Sequence, residues 1–197
     1  MFITLEGVDG SGKTTQAELL VEALGSTTVR IREPGGTESA ERIRGLLADP
    51  AMSLEPMAEL LLFCAARADL VGQVIRPALD SGKTVVCDRF VDSTIAYQGV
   101  ARGLGIVRVR DLNEAATGGL APDLTLLLRV EPAKGLGRAQ SDDRFEAEGV
   151  RFQEMVAEAY DDIARREPHR VIVIDGDGTP EEVHERVMAV VEPRLGR

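Results

Sequence analysis

Eight consecutive residues, Gly7, Val8, Asp9, Gly10, Ser11, Gly12, Lys13 and Thr14, fit the spacing G-x-x-x-x-G-K-[ST] without a mismatch. Glycine at the first and sixth places leaves the backbone free to curl around an anion, with successive N–H groups turned inward. Lys13 is placed to reach the outer phosphates of a nucleoside triphosphate, and the Thr14 hydroxyl to ligate Mg²⁺. Thr15 carries the polar run onward. The motif needs a strand before it and a helix after it. Phe2, Ile3 and Leu5 supply an apolar strand-like run, and Gln16 to Leu24 a helical pattern. That helix would aim its positive end at the same charge. A tight glycine turn with a surface lysine is the plain alternative, and the strand–loop–helix context argues against it. The chemistry implied is binding of a nucleoside triphosphate such as ATP.

Further polar residues gather where other strand-like runs end. Cys87 is followed by Asp88 and Arg89. A carboxylate at such an end is suited to Mg²⁺, and a guanidinium beside it to clamping a phosphate bidentately; a surface ion pair is the plain alternative, and the place at a strand end in a chain with a P-loop favours the functional reading. Arg32 leads into Glu33, Pro34, Gly35 and Gly36, a turn that allows a ligand to approach closely. Arg44, on the next helical stretch, points either into that cleft or into water. Phe63 and Arg67 are four apart on a helical pattern and so share a face. The ring could stack on a base and the arginine donate to a base carbonyl, though a phenylalanine in a leucine-rich helix also serves a core. Arg67 lies among alanines, where a charge wants a partner. Ser93 and Tyr97 share the next helix face, with Thr94 and Gln98 beside them; these could read a sugar or base, or cap the helix start.

The elements that must position these groups alternate along the chain. Strands are expected at 2–6, 28–32, 84–88, 124–130 and 170–175. Helices are expected at about 13–24, 38–47, 56–80, 92–99, 108–117, 148–166 and 180–191. Such alternation implies a parallel sheet with helices on both faces, an α/β fold in three layers with ligands beyond the carboxyl ends of the strands. The polar segment 139–148 reads as an exposed, mobile flap between helices. The acidic start and Arg-rich end of 148–166 suit a helix dipole.

The bulk numbers agree with one such domain. The chain has 197 residues, 44% hydrophobic and 28% charged, ordinary for a globular protein. A net charge of −10 disfavours a sequence-independent grip on a nucleic-acid polymer, which needs a broad basic face. The longest apolar run, 60–66, is too short to span a bilayer. The first strand begins at Phe2, which leaves no room for a secretory signal. Cys64 and Cys87 sit in apolar segments and read as reduced core thiols. His169 and His184 have no metal-ligand spacing and are expected at the surface. Together these features indicate a cytoplasmic protein without membrane attachment.

At this level of detail the residues resemble bacterial thymidylate kinase, a family of P-loop nucleoside monophosphate kinases. The likeness runs nearly end to end. It is carried by Leu5–Gln16, by Arg32–Thr37, by Leu62–Arg67 and by Asp88, Arg89 and Phe90. It continues through Ser93, Thr94 and Ala96–Gly99, then Pro122–Thr125 and the Asp143–Arg144 part of the flap. The resemblance implies a single P-loop kinase domain over 1–197 with a five-stranded parallel sheet and a short helical lid at about 138–148. It implies ATP-dependent, Mg²⁺-assisted phosphorylation of dTMP to dTDP in deoxynucleotide biosynthesis, in a homodimer to which the 56–80 helix could contribute.

The resemblance also assigns roles. Phe63 would stack on thymine, and Arg67 would bond a thymine carbonyl. Thr94, Tyr97 and Gln98 would face base and sugar, Tyr97 excluding a 2′-hydroxyl. Asp9 would contact the 3′-hydroxyl, and Arg89 with Arg44 would hold the dTMP phosphate, beside Glu33 and Pro34. Asp88 would sit near Mg²⁺, and the turn 175–179 near adenine. Some members of the family carry a catalytic arginine in the P-loop and others supply it from the flap. Here the loop position is Gly10, so Arg138 and Arg144 are the candidates, with Lys13 neutralising charge on the transferred group. Two departures stand out: no basic residue lies between Arg138 and Arg144, and Arg129 occupies a place where the family typically has an acid.

Two rivals are weaker. Another small P-loop kinase would share the loop but accept a different nucleotide or a nucleoside. A nucleotide-dependent switch would want either a guanine-reading Asn-Lys-x-Asp segment or a basic amphipathic tail, and neither is present.

Overall fold

The computed structural model describes residues 1–138, 144–145 and 148–195. The flap expected over 138–148, including Asp143, therefore lies partly outside the described residues.

Five parallel strands form one sheet: β1 (Phe2–Glu6), β2 (Thr28–Arg32), β3 (Thr84–Asp88), β4 (Leu124–Arg129) and β5 (Val171–Asp175), in the order β2-β3-β1-β4-β5. β1 is buried throughout, and β3 and β4 nearly so. Their continuous apolar runs are what a sheet covered on both faces requires. The register sets Leu5 beside Asp88 and Leu126, and Arg32 beside Asp88. The loops leaving β1, β2 and β3 therefore emerge side by side at the carboxyl edge.

Helix α1 (Lys13–Leu24) covers one face, packing Ala17, Leu20 and Leu24 with Ile3, Leu5 and Val86. Helix α9 (Pro180–Val191) joins it through Val183, Val187 and Val191. On the other face α3 (Pro56–Leu70) runs into α4 (Arg76–Asp80) through a wider π turn, Val71–Ile75. Pro77 lacks an N–H and its ring crowds the preceding turn, which a local widening accommodates. Leu70, Val71, Ile75 and Ala78 pack there on Phe2, Val85 and Cys87. Helix α2 (Glu38–Ala48) is capped by the Thr37 side chain, which accepts from Ala40 N–H. A short α5 (Val91–Thr94) opens into a second π turn, Ile95–Ala101, before α6 (Ile106–Thr117) and, after β4, α7 (Pro132–Arg138).

Helix α8 (Val150–Arg166) starts later than its acidic approach suggests. Gly149 at φ 83 breaks the helical path, and Glu148 pairs with Arg102 at 2.5 Å instead of sitting in the first turn. Helix α7 is an element that the sequence pattern did not announce. It contains two glycines, ordinarily poor in a helix, but a Cβ at Gly135 would meet the Asp9 carbonyl at 2.5 Å. His184 is half-buried rather than fully exposed, whereas His169 is exposed. Cys64 and Cys87 are buried free thiols. Among the described residues no helix is long and apolar enough to cross a membrane.

Candidate active site

The loop between β1 and α1 has the backbone that its glycines permit. Gly7, Gly10 and Gly12 have φ of 147°, 70° and 90°, and a Cβ at Gly7 would strike the Leu128 carbonyl at 2.6 Å. Lys13 folds back into the loop, donating to Val8 O at 2.7 Å and Ser11 Oγ at 3.2 Å. Burial, with Arg89 nearby, pushes its ammonium down to about 8. Thr14 Oγ1 donates to Asp88 Oδ2 at 2.6 Å, bringing both expected Mg²⁺ ligands together. Thr15 is exposed on the outer side of the loop, where Ser11, Gly12, Thr15, Arg138 and Gly176 border a second cleft.

Arg89 organises the other side. Among the described residues it is the non-glycine residue with positive φ, 68°, a costly conformation that persists where surrounding contacts enforce it. Its Nη1 donates to Gly7 O at 3.1 Å and Ser93 Oγ at 3.2 Å. Its Nη2 donates to Tyr97 Oη at 3.3 Å and to Asp9 Oδ1 in a close ion pair. The guanidinium also lies 5.1 Å from the Tyr97 ring centroid. Gln153 of α8 holds Asp9 from behind, its Nε2 donating to Oδ2 at 2.5 Å. Burial alone would raise Asp9; Arg89, Lys13, Gln153 and Tyr97 outweigh it and hold the carboxyl below its ordinary range.

Behind Arg89 stands Glu6, a buried carboxylate that sequence reasoning missed. Its Oε1 accepts from Phe90 N–H at 2.7 Å, and its Oε2 from Ser93 Oγ at 2.6 Å and Tyr160 Oη at 2.8 Å. Burial, helped by Asp92, pushes Glu6 up to about 7. A carboxylate closing an otherwise apolar strand was the available signal, because such a charge must find partners.

Between α2, α3 and the 90–98 segment lies an open cavity walled by charged, hydroxyl and aromatic side chains. Asp9 and Arg89 form one end; Phe63, Tyr97 and Gln98 line its interior, with Phe145 beyond. Phe63 is half-buried, so it belongs to this wall rather than to the core. Its ring lies 5.9 Å from that of Phe145, which in turn meets Tyr97 edge-on at 6.3 Å. Arg44 also lines the cavity and donates to Pro34 O at 3.1 Å. Glu33 precedes a cis peptide at Pro34.

Arg67 is 1% exposed and heavily engaged. It donates to Glu33 Oε2 at 2.8 Å, Asn113 Oδ1 at 2.6 Å, Thr94 Oγ1 at 3.1 Å and Phe90 O at 3.0 Å. The Thr94 hydroxyl is tied in turn to Val91 O at 2.9 Å. Both residues border the cavity while bracing its wall.

The two flap arginines occupy different places. Arg138 ends α7 beside the P-loop cleft, with Asp177 at 3.7 Å. Arg144 is turned toward buried Glu59 at 2.7 Å, and its Nε donates to Leu47 O at 3.2 Å. Arg129 does not join either group: it pairs with Asp161 of α8 at 2.5 Å on the surface. Gln153, Tyr160, Asn113, Glu59 and Phe145 complete the site from elements distant in sequence.

A parallel sheet in this order, with a glycine loop wrapped at the carboxyl end of its central strand, defines a P-loop nucleotide-binding protein. A family model described as thymidylate kinase matches residues 5–187. The chain is 51% identical over 200 residues to a thymidylate kinase of Synechococcus sp. (strain JA-2-3B'a(2-13)), covering 99% of this chain and 96% of that one. It is 44% identical over 200 residues to the thymidylate kinase of Deinococcus radiodurans, covering 98% and 97%. A crystal structure of thymidylate kinase from Ehrlichia chaffeensis superposes with a TM-score of 0.83 at 38% identity, covering 98% of both chains. The chain belongs to the thymidylate kinase family.

Proposed function

We propose that this chain transfers the γ-phosphoryl group of ATP to dTMP, giving dTDP and ADP for deoxynucleotide synthesis, with residues 1–197 working as one P-loop kinase domain. The observation that carries the reading is the adjacency of two sites. The Arg89–Asp9 end of the aromatic-walled cavity directly abuts the P-loop. A nucleotide lying in that cavity with its phosphate at Arg89 would face a triphosphate held by Gly7–Thr15. Membership of the thymidylate kinase family supports the choice of base.

The reaction is an in-line attack by a dTMP phosphate oxygen on the γ-phosphorus, with no covalent intermediate. Catalysis of this kind rests on positioning and on charge neutralisation. P-loop N–H groups and Lys13 would hold the donor phosphates, and Arg89 the acceptor phosphate. Asp9, fixed by Gln153 and Arg89, would accept from the 3′-hydroxyl, and Tyr97 would crowd out a 2′-hydroxyl. Phe63 would stack on the base. The Thr14 hydroxyl and Asp88 carboxylate form a hard oxygen donor set that fits Mg²⁺; bound there, the ion would neutralise phosphate charge. Arg138 would offset charge on the transferred group, a role supported by its position beside the P-loop cleft.

The chain would act in the cytoplasm, and as a homodimer; the dimer is supported by exposed Leu61 and Val107 beside one largely apolar groove. The test is ADP release from Mg²⁺-ATP with dTMP, UMP, dCMP, dGMP, AMP and thymidine as acceptors. Strong turnover with dTMP and little with UMP is expected; preference for thymidine or a purine would overturn the reading.

A further inference from the structure

Glu59 is fully buried on α3, on a helix turn flanked by Ala58 and Leu60. Burying a carboxylate is costly unless it is paired and hydrogen-bonded, and three side chains from two segments meet this one. Gln98 Nε2 donates to Oε1 at 2.8 Å. Arg102 donates to both oxygens, at 3.4 and 3.5 Å. Arg144 approaches Oε2 at 2.7 Å. None of these contacts reaches the P-loop, and the phosphoryl-transfer step has no use for Glu59.

The consequence falls on Gln98. A side-chain amide has a donor end and an acceptor end, and packing alone distinguishes them poorly. A carboxylate flanked by two guanidinium groups only accepts. Gln98 therefore directs an N–H of its amide to Glu59, which turns the carbonyl oxygen away from that carboxylate in a side chain that also lines the cavity.

We propose that Glu59 is a positioning residue for base discrimination: by fixing the Gln98 amide it makes the cavity present a hydrogen-bond acceptor to the base edge. This rests on the reading of the cavity as the dTMP pocket. Thymine and uracil carry an N–H at ring position 3, whereas cytosine carries a bare acceptor nitrogen there. An acceptor facing that edge pairs with the first two and leaves two lone pairs opposed with the third. Leaving such groups buried and unpaired typically costs enough to change affinity roughly 10- to 100-fold.

The test is kcat/KM for dTMP and for dCMP in the wild-type protein and in Glu59→Gln. Glutamine at 59 can donate or accept, so Gln98 is free to present either end. The dTMP-to-dCMP ratio is expected to fall about 10- to 100-fold, with the KM for ATP unchanged. A purely structural role would lower Tm or depress both substrates together while keeping the ratio, and that result overturns the proposal. Should Glu59→Gln fail to fold because two arginines lose their counter-charge, the double variant Glu59→Gln/Arg144→Gln removes that ion pair whole and carries the same comparison. A wild-type protein that turns over neither dTMP nor dCMP, yet phosphorylates another nucleotide, overturns the dTMP reading itself and the proposal with it.

Discussion

The Thr14 hydroxyl donates to Asp88 Oδ2 across 2.6 Å, although the residues are 74 apart in the chain. The contact exists because β1 and β3 are direct neighbours with Leu5 beside Asp88, so the helix after one strand starts over the end of the other. Two hard oxygen donors so placed should govern the demand for Mg²⁺. Asp88→Asn is expected to raise the Mg²⁺ concentration needed for half-maximal activity about tenfold or more, with dTMP binding little changed. A titration of activity against free Mg²⁺ checks this; an unaltered midpoint would remove Asp88 from the metal site.

The separation of the flap arginines predicts different phenotypes. Arg138→Met is expected to lower kcat by about 10³-fold or more, in the manner of an arginine that offsets transition-state charge. Arg144→Met leaves Glu59 short of a partner in a buried setting, with a stability loss on the order of 3 kcal/mol, and raises the KM for dTMP. Steady-state kinetics with denaturant unfolding separates the two. A collapse of kcat in Arg144→Met at unchanged stability would reverse the assignment.

Lys13 predicts a proton linkage. Burial, then Arg89, hold its ammonium near 8 without nucleotide, and triphosphate binding would favour the charged form. Below about pH 8 the amine is already protonated and contributes no dependence. Above it, ATP binding must take up a proton, so affinity should fall by up to about tenfold per pH unit. Calorimetry at pH 9 in buffers of different ionisation heat should show proton uptake that is absent in Lys13→Met; equal uptake in both would refute it.

Glu6 predicts a stability profile. Its folded-state pKa, pushed up to about 7 mainly by burial, exceeds its usual 4.5, so folding favours the protonated form. The associated stabilisation is complete below about pH 4.5. It declines as pH rises toward 7, where the unfolded chain ionises and the folded one resists. Glu6→Gln, which resembles the neutral acid in shape, should therefore gain on the wild type across that window. Urea unfolding from pH 4 to 8 reads the difference directly, and a constant offset would rule the linkage out.

Much of the donor side was readable from local residues. Gly7 to Thr14 announce themselves by spacing, and Asp88 and Arg89 by their place at a strand end. Helix α7 was not readable, because Gly135 and Gly137 argue against a helix until the Asp9 carbonyl is seen against Gly135. Glu6 and Tyr160 are 154 residues apart, and Gln153 is 144 from Asp9; no periodicity links such pairs. From its face on α3 alone, Arg67 reads as a base contact. Its bonds to Glu33, Asn113, Thr94 and Phe90 show how much of its guanidinium braces the wall.

By itself the sequence determined the alternation of strands and helices, the parallel sheet this requires, and the loop that wraps a phosphate. Each depends on hydrophobic period, on glycine's backbone freedom, and on residues within one turn or strand of each other. Tertiary structure alone decided which donor faces which acceptor. It set Arg89 among Asp9, Ser93 and Tyr97, turned Arg144 to Glu59, left Arg138 near Asp177 beside the P-loop cleft, and gave Gln98 its partner. A buried charge takes its partner from whatever the packed elements bring within about 3 Å, and that neighbourhood exists only once the sheet order is in place.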